Sequence, residues 1–190
     1  MNSPDLKQRL RQKMREQRRS LTSEARQLSA EKTCEVFKTW VTEDLFPMAI
    51  YLAFDGELNP QKVINYCWSQ NYPIYLPIVI PDEPQLEFAA YTPHSQLVAN
   101  QYGILQPQVE NTVRADTLRT LLLPLTAFDE TGARLGMGGG YYDRTLAACR
   151  EKPNVVGLAY AFQQVSRCPS EAHDVPLDAV LTEDNFIKFG

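Results

Sequence analysis

Short apolar runs recur along this chain with helix starts between them, and that alternation limits the fold more than any other feature. Met48-Ala49-Ile50-Tyr51-Leu52-Ala53-Phe54 is apolar at nearly every position, where a half-exposed strand would alternate. It reads as a strand buried on both faces and ended by Asp55-Gly56-Glu57. Asn59-Pro60 joins a capping oxygen to a preset φ and opens a helix to about Gln70, after which Pro73 to Ile80 is the next apolar strand. Together these make a β-α-β unit. Leu86 to Tyr91, Leu121 to Ala127, Asn154 to Tyr160 and Ala179 to Thr182 are strand-like, Tyr141 to Arg150 helical, and Pro93 to Thr117 a loop-rich excursion around Tyr102-Gly103-Ile104. Near the N-terminus, Ser3-Pro4-Asp5 starts a helix to about Arg19, and a second follows Thr22 and ends near Trp40. The expected fold is α/β: one domain over 1–190, a three-layer α/β/α arrangement with a mostly parallel central sheet, Rossmann-like. Ligands in such folds sit beyond the carboxyl ends of the strands, which here means the loops at Asp55, Asp129 to Gly140, and Tyr160.

Composition excludes several classes. With 44% hydrophobic and 22% charged residues the chain is neither disordered nor low-complexity. Its apolar runs are too short to span a bilayer, and its first residues lack the apolar core of a secretion signal, so no membrane partner and a cytoplasmic location are expected. Cys34, Cys67, Cys149 and Cys168 lie far apart without a C-x-x-C pair and read as reduced filler. Residues 1–26 carry eight basic and three acidic side chains, +5 locally in a chain of net −4, which leaves −9 for the rest. Charge alone leaves three readings open: a solvated helix face, a nucleic-acid contact, or cations delivered to a small anionic ligand. The acidic body and the absence of an aromatic-basic RNA motif argue against nucleic acid.

The segment from Phe128 to Arg144 is the most informative. Five of the nine glycines fall between Gly132 and Gly140, after an apolar strand and before a helix. Glycine there permits positive φ and turns backbone N–H groups toward a phosphate. Arg134 and Arg144 can bond phosphoryl oxygens, and Asp143, a carboxylate at a helix start, can hold Mg²⁺ against them. Neither a Walker A pattern nor a first-unit dinucleotide fingerprint occurs. On the N-terminal helix Leu6, Leu10 and Met14 share one face, with Lys7 and Arg11 one turn apart beside it. Tyr102 suits stacking on a flat ring or ordinary packing; His173 reads as an orienting or surface residue, since no third ligand is spaced for zinc.

The run Arg134-Leu135-Gly136-x-Gly138-Gly139-Gly140-Tyr141-Tyr142-Asp143-Arg144 resembles the signature of the 5-formyltetrahydrofolate cyclo-ligase family, also called methenyltetrahydrofolate synthetases. Lys7-x-x-x-Arg11, Gly56-Glu57, Tyr102-Gly103-Ile104 with Pro107, and His173-Asp174-x-Pro176-Leu177-Asp178 match it elsewhere, so the resemblance spans nearly the whole chain. It implies an ATP- and Mg²⁺-dependent conversion of 5-formyltetrahydrofolate to 5,10-methenyltetrahydrofolate by a monomer that binds those two substrates and no nucleic acid. By position it places ATP contacts on Lys7, Gln8, Arg9, Leu10 and Arg11 and on Arg134, Leu135, Gly136, Met137, Gly138, Gly139, Gly140, Tyr141 and Tyr142. Mg²⁺ ligands fall on Asp143 and Asp174, and folate contacts on Arg11, Leu52, Glu57, Tyr102 and Met137 to Tyr141. Lys7, Arg11, Arg134 and Tyr142 are the expected catalytic set. Met137 stands where other members often carry a tyrosine or a basic residue, and Leu125-Thr126 and Asn59-Pro60 also depart from the usual pairs. The alternative is a relative of the same fold that binds folate without turnover.

Overall fold

The computed structural model describes residues 3–109, 111–171 and 173–190. Among them are four α-helices: α1 (Ser3–Ser20), α2 (Ser23–Trp40), α3 (Gln61–Ser69) and α4 (Tyr141–Ala147). The strands are β1 (Met48–Ala49), β2 (Ile74–Val79), β3 (Leu86–Ala90), β4 (Leu97–Ala99), β5 (Leu105–Pro107), β6 (Thr120–Pro124), β7 (Ala127–Phe128), β8 (Arg134–Leu135), β9 (Asn154–Leu158), β10 (Ala179–Leu181) and β11 (Phe186–Lys188). The side chain of Ser3, the expected cap of α1, lies outside the described residues. At α2 the Thr22 side chain accepts from the Ala25 amide, as an N-cap does.

Seven strands form the central sheet in the order β11-β10-β9-β6-β1-β2-β3. The five inner strands are parallel; β3 and β11 close the edges antiparallel. Alternation explains why the inner runs are apolar throughout. On β6, Leu122 joins Phe37 of α2 and Ile64 of α3 on one face, while Leu121 and Leu123 join Leu146 of α4 on the other. The result is the expected three-layer α/β/α arrangement with a mostly parallel sheet.

The chain builds outward from β1 to β2 and β3, then returns to the other side of β1 and lays down β6, β9, β10 and β11. The direction reverses between β1 and β6, and such a switch point opens a crevice at the strands' carboxyl ends. Ladder pairing of β1 is shorter than the apolar run implies. It stops after the Ile50 amide bonds Tyr75 O, and the backbone turns at Asp55 (φ +49°) and Gly56 (φ +76°). The β4–β5 hairpin lies within the loop excursion and is held to β2 by the Gln106 side chain, which accepts from the Val79 amide. Edge strand β11 and the β7–β8 hairpin carry no clear apolar signal, since each is two or three residues long. The four cysteines are free thiols. No helix among the described residues is long and apolar enough to cross a membrane.

Candidate active site

Helix α1 lies across the crevice and is fastened there mainly by charge. Leu6 is exposed and Leu10 half-buried; of that stripe only Met14 enters a core, against Ala127, Leu135 and Cys168. The face at positions 7, 11, 14 and 18 does the docking. Lys7 Nζ donates to Glu171 Oε1 at 2.9 Å and to Asp174 Oδ2 at 3.2 Å. Arg11 Nε donates to Gly136 O at 2.9 Å, with its guanidinium over Gly138. Arg15 and Arg19 reach Asp55 at 2.8 and 2.5 Å. Arg18 is fully buried, its Nη2 3.6 Å from Met137 Sδ and 3.8 Å from Asp55, its Nη1 4.0 Å from Glu57.

The glycine-rich segment divides into a structural half and an open half. Asp129 ties the β7–β8 hairpin by accepting from the Thr131 amide and hydroxyl and from the Cys168 amide. Burial raises its carboxyl, but these donors prevail and hold it below the usual range. Gly132 (φ +79°) belongs to this half, since a Cβ there would meet Leu177 O at 2.7 Å. Gly136 to Gly140 form the open half, and a Cβ at Gly136 meets nothing within 4 Å. Arg144 shapes this loop: it donates to Gly139 O at 2.8 Å and Pro84 O at 2.7 Å and lies over the Tyr141 ring. Two of its five N–H donors are engaged by backbone in this way, and the side chain is exposed.

The carboxylates converge around Val175. Asp143 Oδ1 accepts from Arg134 Nη2 at 2.7 Å and from the Val175 amide at 3.1 Å, and the Arg134 guanidinium also donates to Val175 O. Asp174 Oδ2 accepts from the Glu171 amide at 2.8 Å and from Lys7. Burial raises the Asp174 carboxyl, but that amide and Lys7 outweigh it and hold it below the usual range. Asp143 is thus part of a hydrogen-bonded network and more than a solvent-facing residue at a helix start. His173 is exposed, 3.5 Å from Glu171 and 3.7 Å from Asp174.

Across the crevice, Glu57 is buried and accepts from the Phe54 amide at 3.0 Å. Burial pushes its carboxyl up to about 7, against the pull of that amide and of Arg18. Glu57 and Tyr160 line a cleft of about 580 Å³ together with Gly56, Arg26 and Lys62. Burial, and next to it Glu57, raises the Tyr142 phenol well above its usual value, while Arg134 opposes the shift. Tyr142 is therefore a protonated donor near neutrality. Leu52 packs half-buried on the core, and Met137 is 37% exposed with Sδ 3.5 Å from Thr126 Oγ1. Tyr102 and Tyr141 share a hydroxyl hydrogen bond of 2.8 Å with their rings edge to face.

Of the residues singled out in the sequence, Lys7, Arg11, Arg134, the open glycines, Tyr142, Asp143 and Asp174 gather along one side of the crevice, with Glu57 facing them through Arg18 and Met137. Gln8 and Arg9 are exposed on α1, and Arg9 pairs with Asp5. Arg18 escaped the sequence reading as a site residue, whereas Asp55 and Tyr160 entered it as loop positions beyond strand ends. For Arg18 a signal exists: positions 7, 11, 14 and 18 share one helical face.

Comparisons with known proteins give the family and the fold. The model of the 5-formyltetrahydrofolate cyclo-ligase family matches residues 4–183. A protein of that name from Escherichia coli K12 is 39% identical over 174 residues, 89% of this chain and 96% of its own. One from Haemophilus influenzae is 44% identical over 138 residues, 70% and 74% of the two chains. The solution structure of Aquifex aeolicus 5,10-methenyltetrahydrofolate synthetase superposes with a TM-score of 0.83 at 30% identity, covering 96% of this chain and 92% of that one.

Proposed function

Because the chain belongs to the 5-formyltetrahydrofolate cyclo-ligase family, we propose that it uses ATP to activate the formyl group of 5-formyltetrahydrofolate and closes the ring to 5,10-methenyltetrahydrofolate. One observation carries this reading. At the switch point, a loop of open glycines flanked by Lys7, Arg11 and Arg134 faces a buried carboxylate, Glu57, so a polyanion and a ring with N–H donors are accommodated side by side.

A formamide is a poor electrophile. Its oxygen therefore attacks the γ-phosphorus of ATP, the bond to the bridging oxygen breaks toward ADP, and an iminium phosphate forms. Nitrogen 10 adds to the formyl carbon, loses its proton, and inorganic phosphate departs as the five-membered ring closes. Such a transfer needs alignment and charge neutralisation more than covalent help. Arg11 and Lys7 bring α1 cations to the phosphates, and Arg134, fixed by Asp143 and Val175, adds a preorganised guanidinium. Tyr142 contributes a hydroxyl that stays protonated. Glu57 accepts from the pterin N–H edge, and Tyr102 with Tyr141 offers a ring surface beside the open glycines.

Among the described residues, no cluster of three or more histidine, cysteine, aspartate or glutamate side chains forms a self-sufficient metal cage. Asp143 and Asp174 nevertheless fit Mg²⁺, which takes one or two carboxylates and fills its remaining positions with phosphate oxygens and water. The two would hold it, and it would supply charge neutralisation at the phosphates. The test is absorbance of the methenyl product from 5-formyltetrahydrofolate, with and without ATP and Mg²⁺. Product in the absence of nucleotide overturns the ATP-dependent route. Folate binding without product or folate-dependent ATP hydrolysis marks an inactive relative.

A further inference from the structure

Among the described residues Arg18 is the most deeply buried charge and the least satisfied. Its Nε and Nη1 are buried with no hydrogen-bond partner among the described residues. Asp55, its nearest carboxylate, is engaged more closely by Arg15 and Arg19, which leaves Arg18 at 3.8 Å from it and 4.0 Å from Glu57. A buried guanidinium left without bonds is costly, and folds retain such groups chiefly where something else completes them. A second orphan lies in the same neighbourhood: the Tyr160 hydroxyl is buried without a partner, and Tyr160 lines the cleft with Glu57. What covers the Arg18 fork on the crevice side is the thioether of Met137, a flexible chain held between Gly136 and Gly138 (φ +109°).

We propose that Arg18 is a substrate-reading residue: its free N–H donors bond the ring carbonyl of the pterin, while Glu57 beside it takes the neighbouring ring N–H groups. A guanidinium and a carboxylate side by side present donors next to acceptors, the complement of the amide edge of a 2-amino-4-oxo ring. The ligand edge displaces Met137 from Nη2, and the carbonyl accepts there and from Nη1, which gives Nη1 the acceptor that the protein alone does not. This assignment rests on the folate reading above and extends it to a residue on α1, the helix whose Lys7 and Arg11 are assigned to phosphate.

The test compares calorimetric binding, without nucleotide, of 5-formyltetrahydrofolate and of its 4-amino counterpart, which places a donor where the carbonyl oxygen was. The wild-type chain binds the 4-oxo compound at least about tenfold more tightly. In Arg18→Leu the 4-oxo affinity falls about tenfold or more, the preference shrinks at least about fivefold, and ATP affinity stays within about twofold. A folded Arg18→Leu with unchanged preference, or with equal losses for folate and ATP, overturns the proposal. Where Arg18→Leu does not fold, Arg18→Lys, which keeps the charge and loses the fork, is read in the same way. A wild-type chain without preference for the 4-oxo ring overturns the proposal in either case. Wild-type protein that binds neither compound overturns the folate reading itself, an outcome distinct from the loss of Arg18's role alone.

Discussion

Lys7 Nζ and Asp174 Oδ2 are bonded at 3.2 Å across 167 positions of sequence, so the start of the chain is fastened to its last quarter at the candidate phosphate site. Asp174 gains from the contact. Its carboxyl is held below the usual range, so the contribution to stability is present above an ordinary aspartate pKa and is lost as pH falls through the folded-state value. Lys7→Ala removes part of it. The acid-unfolding midpoint followed by circular dichroism should rise in Lys7→Ala, and an unchanged midpoint would show that the Glu171 amide alone sets the Asp174 carboxyl.

Arg11 is the sharper probe of catalysis. It is half-exposed and reaches the loop through a single bond to Gly136 O, so Arg11→Ala should cost under about 1 kcal/mol of stability. Loss of one preorganised donor should still lower turnover by about 10²–10³. Lys13→Ala is the matched control, removing an exposed charge from the same helix. Equal rate losses in the two variants would mean that bulk positive charge matters and the position of Arg11 does not.

Glu57 gives a prediction with a definite sign. Burial raises its carboxyl to about 7, from an ordinary value near 4.5. The folded state therefore holds the proton more tightly, and stability declines as pH rises from about 4.5 to about 7 and then levels off. Folate binding runs the other way, because only the carboxylate accepts ring N–H donors. Affinity for 5-formyltetrahydrofolate should grow up to about tenfold from pH 6 to pH 8. Glu57→Gln should flatten both trends, and a wild-type affinity independent of pH over that range would remove Glu57 from the ring edge.

Much of this architecture was legible, and the exceptions share a cause. Runs such as Leu121 to Ala127 announced a parallel sheet because both faces of β6 are buried, a local property of composition. The docking of α1 could not be read the same way. Its apolar stripe puts only Met14 in a core, while the burial of Arg18 depends on Asp55 and Glu57, which the β1 turn delivers from more than thirty residues away. The loop-shaping role of Arg144 was hidden for a related reason: two of its donors go to Gly139 O and Pro84 O, and carbonyl partners leave no trace in a sequence. Asp143 and the open glycines were visible because the motif sets them beside a helix start and a strand end, and Asp174 only through the resemblance of His173-Asp174-x-Pro176-Leu177-Asp178 to the family.

Asp143 separates metal binding from structure. Asp143→Ala leaves the buried Arg134 without its carboxylate and the Val175 amide without an acceptor, so it should destabilise the fold by about 1–3 kcal/mol in thermal or urea melts. Asp143→Asn keeps an oxygen for the amide and removes the charge that Mg²⁺ requires. It should melt closer to wild type than Asp143→Ala and show a raised Mg²⁺ requirement in the absorbance assay. Full activity at the wild-type Mg²⁺ concentration would exclude Asp143 as a ligand.

The glycine loop allows a cleaner experiment at Gly136 than at its neighbours. Gly138 and Gly140 have φ of +109° and +67°, so any side chain there strains the backbone before a ligand arrives, and loss of activity would be ambiguous. A Cβ at Gly139 would press on the Tyr141 ring at 3.2 Å. At Gly136, φ is not positive and a Cβ meets nothing within 4 Å. Gly136→Ala should therefore keep the wild-type melting temperature within a degree or two, with a slight gain available from the reduced freedom of the unfolded chain. If phosphate approaches this backbone closely, the added methyl stands in its path. ATP affinity should then fall about tenfold or more while folate affinity changes little, as read by titration calorimetry with each ligand alone. An alanine variant that binds ATP as tightly as wild type would place the phosphates elsewhere on the loop and leave Gly136 as the anchor point for Arg11.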